Sequence, residues 1–259
     1  MTRMRKADLK AFLDEKYLLY NRSSFIASDP VSIPRKFSRK QDIEIAGFLA
    51  ATIAWGQRPT ILRNASRLME WMDDSPHAFI TGHSPKELAP FKKFVHRTFN
   101  GVDCTYFIRA LHRIYNEYDS MEEVFLGDEE WNEPDTLKAI VRFRGEFFSL
   151  SPPDRSRKHL SDPSAGSAAK RINMFLRWMV RQDNAGVDFG IWSKIPSSAL
   201  MCPLDVHSGN VARKLGLLQR SQNDWKAVEE LTKALRKLDI SDPVKYDFSL
   251  FGLGVFEGF

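Results

Sequence analysis

PLDVHSGNVARKLGL, residues 203–217, contains the start, the body and the end of one helix. Asp205 stands just after Pro203, where its side chain can accept hydrogen bonds from the first backbone N–H groups and stabilise the helix by about 1 kcal/mol. Gly216 stands at the other end, since glycine readily adopts the left-handed conformation that closes a helix. The segment predicts a helix over 205–215 with Asp205 as its N-cap.

The same helical periodicity continues along the rest of the chain. Near the start, Leu9, Phe12, Leu13 and Tyr17 recur at three- and four-residue spacing, as in an amphipathic helix. No run of alternating apolar and polar residues is bounded by turn residues, so a sheet is not expected. The predicted fold class is all-α. Further helices are predicted over residues 40–55, 60–72, 91–99, 103–118, 135–150, 167–181, 223–238 and 242–256.

Four stretches interrupt this pattern or stand out from it. The run Ile43 to Trp55 is apolar almost all round and predicts a central buried helix. Residues 29–39 carry two prolines and read as a loop, and residues 187–204 read as irregular. The polar stretch SPPDRSRKHLSDPSAG, residues 151–166, is the best candidate for a boundary or an exposed recognition loop.

Composition places the chain among proteins with a sizeable core, because 43% of its 259 residues are hydrophobic. No stretch approaches the roughly 18 uncharged apolar residues that span a bilayer, so we expect a cytoplasmic protein without a membrane partner. Cys104 and Cys202 fit neither a disulfide framework nor a zinc spacing, and are expected to be buried free thiols without a metal. The net charge of +5 is compatible with a polyanionic partner.

Four segments of the chain resemble segments of the helix-hairpin-helix DNA glycosylase superfamily, and they occur along the chain in the same order as in that superfamily. Residues 203–217 are similar to the V-D-T-H-x-x-R-V-x-x-R helix start of endonuclease III, in which the aspartate is catalytic. AGFLAATIAWGQR, residues 46–58, resembles the early helix that delivers a glutamine towards DNA. SAAKRINMFLRWMVR, residues 167–181, looks like the catalytic-lysine helix of the archaeal branch that acts on oxidised guanine, and KYDFSLFGLGVF, residues 245–256, stands where the closing helix is expected. The same signatures resemble an uncharacterised bacterial family with this C-terminal half.

The resemblance implies one helical unit of two lobes with a degenerate hairpin. Residues 46–150 would form the first lobe and residues 151–238 the hairpin and catalytic lobe. Residues 1–45 and 239–259 would pack across the lobes. No organic cofactor is implied, and the cysteines do not suggest the iron–sulfur cluster of some relatives.

Lys170 and Asp205 are the residues that match the superfamily's catalytic pair. A glycosylase with lyase activity needs an amine to attack the sugar C1′ as the base leaves, and a carboxylate to stabilise the positive charge that develops on the sugar. Asp205 can cap its helix and face the sugar at the same time. An alternative is that Lys170, Arg177 and Arg181 lie together on a helix face that solvent occupies.

The hairpin departs from the superfamily's L-P-G-x-G-x-K pattern. Residues 163–170, PSAGSAAK, keep a single glycine, and the separation of Lys170 from Asp205 is longer than in endonuclease III. A segment such as residues 183–198 must therefore loop out. Gly166, Ser167 and the helix N-terminus could still bind a phosphate, or the change could mark lost catalysis.

Several other residues are candidates for contact with DNA. Gln57 and Arg58 follow the buried helix at a break, where they can reach a duplex gap or a phosphate. Arg171 can bind a phosphate but cannot act as an amine nucleophile, and His207 can bind a phosphate or orient Asp205. Phe175, Trp178 and Trp192 are candidates for stacking a flipped base, with core packing as the alternative, and residues 155–159 form a basic loop.

Three classes of function follow from these patterns. The leading expectation is a base-excision repair glycosylase acting on damaged duplex DNA, with AP lyase activity and no obligate protein partner. The first alternative is a non-catalytic nucleic-acid-binding protein that keeps the fold. The second is an unrelated helical interaction module, whose behaviour towards DNA would not depend on salt.

Overall fold

A computed structural model describes residues 5–127 and 130–259, so the parts of the predicted lobes at residues 1–4, 128 and 129 lie outside the described residues. Helix makes up 59% of the structure and strand 2%, which confirms the all-α fold class. The helices are α1 (Lys6–Tyr20), α2 (Ser23–Ile26), α3 (Lys40–Thr52), α4 (Arg58–Glu70), α5 (Pro76–Gly82), α6 (Gly101–Glu117), α7 (Met121–Leu126), α8 (Leu137–Phe147), α9 (Lys170–Val180), α10 (Val206–Lys214), α11 (Trp225–Arg236) and α12 (Tyr246–Phe256).

The segments between these helices contain short 3₁₀ turns. The predicted loop at residues 29–39 contains two of them, Pro30–Ser32 and Pro34–Lys36, each beginning at a proline whose fixed φ suits a first helical position. Residues 187–204 are irregular as predicted, apart from the turn Ser197–Ala199. The α-helical pattern therefore ends where prolines and polar residues accumulate.

The helix predicted over residues 91–99 is wrong. A 3₁₀ turn, Phe91–Lys93, is followed by a hairpin of strands β1 (Val95–His96) and β2 (Phe99–Asn100). Val95 is 63% exposed whereas His96 is 2% exposed, so the side chains alternate between solvent and core as in a strand. The alternation covers too few residues to be distinguished in the sequence from helical spacing.

The described residues divide into two compact units. The first comprises residues 5–25, 132–137 and 162–259, and the second comprises residues 26–127, 130–131 and 138–161. Both cysteines are free and buried, as predicted. In the part of the chain that the structure describes, no helix is long and apolar enough to cross a membrane.

In the second unit, α3 is the central buried helix that the sequence predicted. Every residue from Ile43 to Thr52 is buried, including the carboxylate of Glu44. Glu44 accepts hydrogen bonds from Tyr115 Oη at 2.7 Å, Ser120 Oγ at 2.6 Å and the Met121 backbone N–H at 3.1 Å. These bonds replace the water that the carboxylate loses on burial.

In the first unit, α12 packs against α1 and α10. Gly252 lies so close to α1 that a Cβ atom there would meet the ring of Tyr20 at 2.1 Å. Two hydrogen bonds join the same helices, from Ser249 Oγ to the Leu13 carbonyl at 2.7 Å and from Tyr246 Oη to Asp14 at 2.9 Å. On its other contact, α12 packs against α10, the helix whose N-cap is Asp205.

Candidate functional site

The loop before α9 is built by local hydrogen bonds. Asp162 Oδ1 accepts from the backbone N–H and hydroxyl of Ser164 at 3.0 and 2.6 Å, and Gly166 has a φ of +89° that favours glycine. Ala169 then takes the left-handed conformation with φ 47°, and its N–H donates to Ser167 Oγ at 3.2 Å. Lys170 is consequently the first helical residue, three residues later than predicted.

Asp205 is the N-cap of α10, as predicted. Its Oδ1 accepts from the Ser208 N–H at 2.9 Å, and its own N–H donates to Ser208 Oγ at 3.0 Å, which forms a reciprocal capping box. The amide side chain of Asn223 also donates to the Asp205 carbonyl at 3.0 Å. The capping role occupies Oδ1 and fixes the carboxylate in one orientation.

The structure brings Lys170 and Asp205 together. Lys170 Nζ lies 4.0 Å from Asp205 Oδ2, the oxygen that does not form the short cap bond to Ser208, and 3.5 Å from Met174 Sδ. The two side chains are 28% and 25% exposed, so a ligand can reach both. An amine and an oriented carboxylate, separated by 35 positions in the chain, thus meet at the N-termini of two helices.

A network of buried charges lies near this pair within the first unit. Arg177 on α9 donates to Asp188 at 3.2 Å and to Asp247 on α12. Arg181, one turn later, donates to Asp188 at 3.0 Å and to Asp242 at 2.9 Å. Isolated charges would be costly in such surroundings, whereas paired and hydrogen-bonded charges are tolerated.

Asp247 is the carboxylic acid of this network whose pKa is raised well above its ordinary value. Burial, helped by the negative charge of Asp205, raises the pKa of Asp247 to about 6 against the attraction of Arg177. Lys170 acts in the opposite direction on the same pKa. The charges of Lys170, Asp205 and Asp247 are therefore coupled to one another.

Arg181, a member of the network, and Cys202, which lies beside it, also have shifted pKa values. Burial works against the charged form of Arg181, but Asp188 and Asp242 outweigh it and raise the pKa of Arg181 above its ordinary range. Burial also raises the pKa of the Cys202 thiol, and Asp247 adds to the effect. Cys202 is thus held as a neutral thiol beside the charged groups.

The sequence reasoning missed this network. It placed Arg177 and Arg181 with Lys170 on a face that solvent could occupy, but the two arginines are only 4% and 1% exposed. Two of their carboxylate partners, Asp242 and Asp247, lie more than 60 residues away in the sequence. Pairing with these carboxylates lowers the free-energy cost of burying the two arginines. One signal was available, because Asp247 is the only charged residue of α12 and an acid in so apolar a helix requires a partner.

The predicted DNA-contact residues of the first unit lie around the two helix starts. Gly166 is exposed and Ser167 half-buried in the loop before α9, and His207 is exposed in the first turn of α10. Arg171 follows Lys170 and is half-buried, and burial lowers its pKa to about 10. Gly166 also accepts a hydrogen bond through its carbonyl from the Trp225 N–H at 3.0 Å, which ties the loop to the start of α11.

Phe175, Trp178 and Trp192 pack in the core, which is the alternative that the sequence left open. Their exposed fractions are 0%, 0% and 1%, and the rings of Phe175 and Trp192 meet edge to face at 5.4 Å. All three lie in the first unit, yet none presents an open face to a base. Base stacking by these residues requires them to leave the core.

The remaining candidates belong to the second unit. Gln57 is the exposed N-cap residue of α4, and Arg58 is the half-buried first residue of that helix. In the basic loop, Arg155 pairs with the buried Asp103 at 3.2 Å and Ser156 Oγ donates to the same carboxylate at 2.8 Å. His159 Nε2 also lies 3.4 Å from Asp103, so part of this loop serves the internal packing of the unit.

Comparison with known proteins identifies the family but no characterised relative. The family described as "Protein of unknown function (DUF2400)" matches residues 29–256, and the chain therefore belongs to it. No curated protein and no solved structure matches the chain.

Proposed function

We propose that this member of the family is a DNA base-excision glycosylase with AP lyase activity, built on a helix-hairpin-helix glycosylase-like fold with a degenerate hairpin. The observation that carries the proposal is the 4.0 Å approach of Lys170 Nζ to Asp205 Oδ2. These are the two residues that the sequence resemblance pairs, and their meeting at two helix starts supports the resemblance. The substrate would be a damaged nucleotide flipped out of a duplex.

The chemistry assigns one task to each side chain. The Lys170 amine, after losing a proton, forms a bond to the sugar C1′ while the bond from C1′ to the base nitrogen breaks. The base leaves with that electron pair and takes up a proton. The Asp205 carboxylate stabilises the positive charge that develops on the sugar.

The capping box of Asp205 supports this role by holding the carboxylate before a substrate arrives. Its Oδ1 is held by the Ser208 N–H at 2.9 Å, so Oδ2 is turned towards Lys170 without a change of rotamer. Charge stabilisation is strongest when the stabilising group needs no reorganisation during the reaction. The cap thus contributes to helix stability and to orientation at once.

The loop and helix start before Lys170 supply a place for the DNA backbone. Gly166 is exposed at a positive φ, and the first N–H groups of α9 carry the positive end of the helix dipole. A phosphate bound here would place the adjacent sugar near the Lys170–Asp205 pair. If DNA phosphates bind at this helix start, the affinity of the protein for DNA should fall as the salt concentration rises.

Borohydride trapping tests the proposal directly. The purified protein would be incubated with duplexes carrying oxidised, alkylated, deaminated or abasic sites, and any Schiff base would be reduced to a stable adduct. We expect an adduct with the wild-type protein that is lost in Lys170→Met. Lys226→Met is the matched control, because Lys226 is an exposed lysine in the first turn of α11.

The other outcomes separate the competing functions. If no duplex yields an adduct or a released base, while binding remains salt-sensitive, the protein is a non-catalytic nucleic-acid-binding protein. If DNA binding is absent or independent of salt, the helical interaction module is the better description. An adduct that persists in Lys170→Met would assign the nucleophile to another amine.

A further inference from the structure

A cavity of about 570 Å³ lies in the first unit, at the end of α10 opposite to Asp205. Since α10 has nine residues, the two ends are separated by about 14 Å. The cavity volume is within the range of small-molecule sites. Its lining comes from the start of α1, the turn after α10 and the last turns of α11.

The floor of the cavity is aliphatic. Leu9, Leu217 and Leu238 line it and are each no more than 9% exposed, and Ala234 adds a small side chain from α11. Of the described residues that line the cavity, none is aromatic. A nucleobase would find no ring to stack on, whereas a hydrocarbon chain would be removed from water.

Three lysines surround this floor: Lys6, Lys233 and Lys237. Within residues 5–127 and 130–259, none of the three forms an ion pair with a carboxylate. Lys233 and Lys237 are four residues apart on one helix face, a spacing at which like charges destabilise a helix. Three exposed lysines thus line a cavity whose floor is formed by leucines.

Among the described residues the lining contains one acid, Glu230, which offsets one of the three positive charges but forms no ion pair with these lysines. Glu230 Oε1 accepts from the Gln219 N–H at 2.6 Å, and Oε2 accepts from the Arg220 N–H at 3.3 Å. Both oxygens are thus engaged by the backbone of the loop after α10.

The helix dipoles stabilise only two of these three lysines. Lys233 and Lys237 stand at the C-terminal end of α11, where cations are favourable. Lys6 is the first residue of α1, where the dipole is already positive and a cation is unfavourable. An anion between the three amines would offset the repulsion that the helices leave uncompensated.

We infer that this cavity binds a small aliphatic anion, with a hydrocarbon chain on the leucine floor and a carboxylate or phosphate head between Lys6, Lys233 and Lys237. This site is separate from the Lys170–Asp205 pair and its test does not depend on the proposed glycosylase activity. A concave cavity of this volume has room for one hydrocarbon chain.

Isothermal titration of the full-length protein with decanoate or decyl phosphate, below their micelle concentrations, tests the inference. We expect one binding site per protein molecule. Inorganic phosphate, which lacks the hydrocarbon chain, and 1-decanol, which lacks the negative charge, should each bind more weakly, by about tenfold or more. Lys233→Met and Lys237→Met should each weaken binding about fivefold, equivalent to about 1 kcal/mol. Ala234→Trp should abolish binding by filling the cavity.

Lys226→Met is the matched control, since Lys226 is an exposed lysine of α11 outside the cavity lining. It should bind decanoate like the wild-type protein, and circular dichroism should show that every variant is folded. The inference is overturned if decanoate does not bind at millimolar concentration, or if Lys233→Met and Ala234→Trp bind as well as Lys226→Met. Binding of an acidic, leucine-containing peptide without binding of decanoate would also overturn it and indicate a protein partner.

Discussion

Replacing Asp247 by asparagine should change how the stability of the protein depends on pH. Asp247 is buried on α12, and burial raises its pKa to about 6 from the ordinary value of 3.8, despite the nearby Arg177. Asparagine has nearly the same shape but does not titrate. The substitution therefore isolates the contribution of one proton.

The magnitude follows from the two pKa values. The folded protein binds this proton more tightly than the unfolded chain, so Asp247 contributes stability that is fully present below pH 3.8 and is lost as the pH rises through about 6. The difference between the folded and unfolded pKa values corresponds to about 3 kcal/mol. The free energy of unfolding of the wild-type protein, minus that of Asp247→Asn, should fall by about this amount between pH 3.8 and pH 7.

Urea unfolding of both proteins at half-unit steps from pH 3.5 to pH 7.5 measures this difference. Asp183→Asn provides a control of opposite sign. Burial acts to raise the pKa of Asp183, but Arg181 and Asn21 outweigh it and lower the pKa to about 2. The stability that Asp183 contributes is present above pH 3.8 and is lost as the pH falls through about 2. Its difference curve should stay flat from pH 5 to pH 7.5.

A difference between wild type and Asp247→Asn that does not change with pH would refute the reasoning. It would mean that Asp247 titrates equally in the folded and unfolded proteins. A difference that rises with pH would mean that the attraction of Arg177 outweighs the cost of burial. The first result would show that the fold does not shift the pKa of Asp247, and the second would show that the fold lowers it.

Three further predictions follow from the same structure. Arg177→Met should lower the free energy of unfolding by about 3–5 kcal/mol in urea titrations, because it leaves two buried carboxylates with one cation fewer. Asp205→Asn should cost at most about 1 kcal/mol of stability, since asparagine also caps helices, yet base release in a glycosylase assay should drop sharply. Gly101→Ala should destabilise by about 1–3 kcal/mol in thermal unfolding, because its Cβ would lie 1.9 Å from a carbonyl oxygen, whereas Gly145→Ala in the open part of α8 should stabilise by about 0.5–1 kcal/mol.

Each of these three has an outcome that would contradict it. A loss under about 1 kcal/mol for Arg177→Met would mean that water reaches the carboxylates. Full base release by Asp205→Asn would remove the carboxylate from the proposed reaction. Equal effects of the two glycine substitutions would show that the packing at Gly101 is looser than the structure indicates.

Local patterns in the sequence were sufficient for most helices and for the position of Asp205. Helix starts depend on a cap and on hydrogen bonds within four residues, as at Asp205 and Ser208, and both partners are visible in the sequence. The burial of α3 was equally visible, because an apolar residue at almost every position leaves no face for solvent. The pairing of Lys170 with Asp205 came from a resemblance of segments, and no local rule would have produced it.

Two features were missed by the sequence reasoning, for different reasons: the buried charge network and the hairpin at Val95. Arg177 and Arg181 look like solvent-facing residues until Asp188, Asp242 and Asp247 are placed beside them. The hairpin at Val95 was read as helix because a two-residue strand has no measurable period. The charge network depends on contacts between distant parts of the chain, whereas the hairpin was missed because its strands are short.

The sequence by itself determined that the protein is helical, where most helices lie, and that an aspartate begins α10, because these properties depend on hydrogen bonds and apolar spacing within a few residues. Only the tertiary structure decided which charges are buried, that the Lys170 amine approaches Asp205, and that three lysines surround an aliphatic cavity. Desolvation and charge pairing depend on what the fold places within a few ångströms, whatever the separation along the chain.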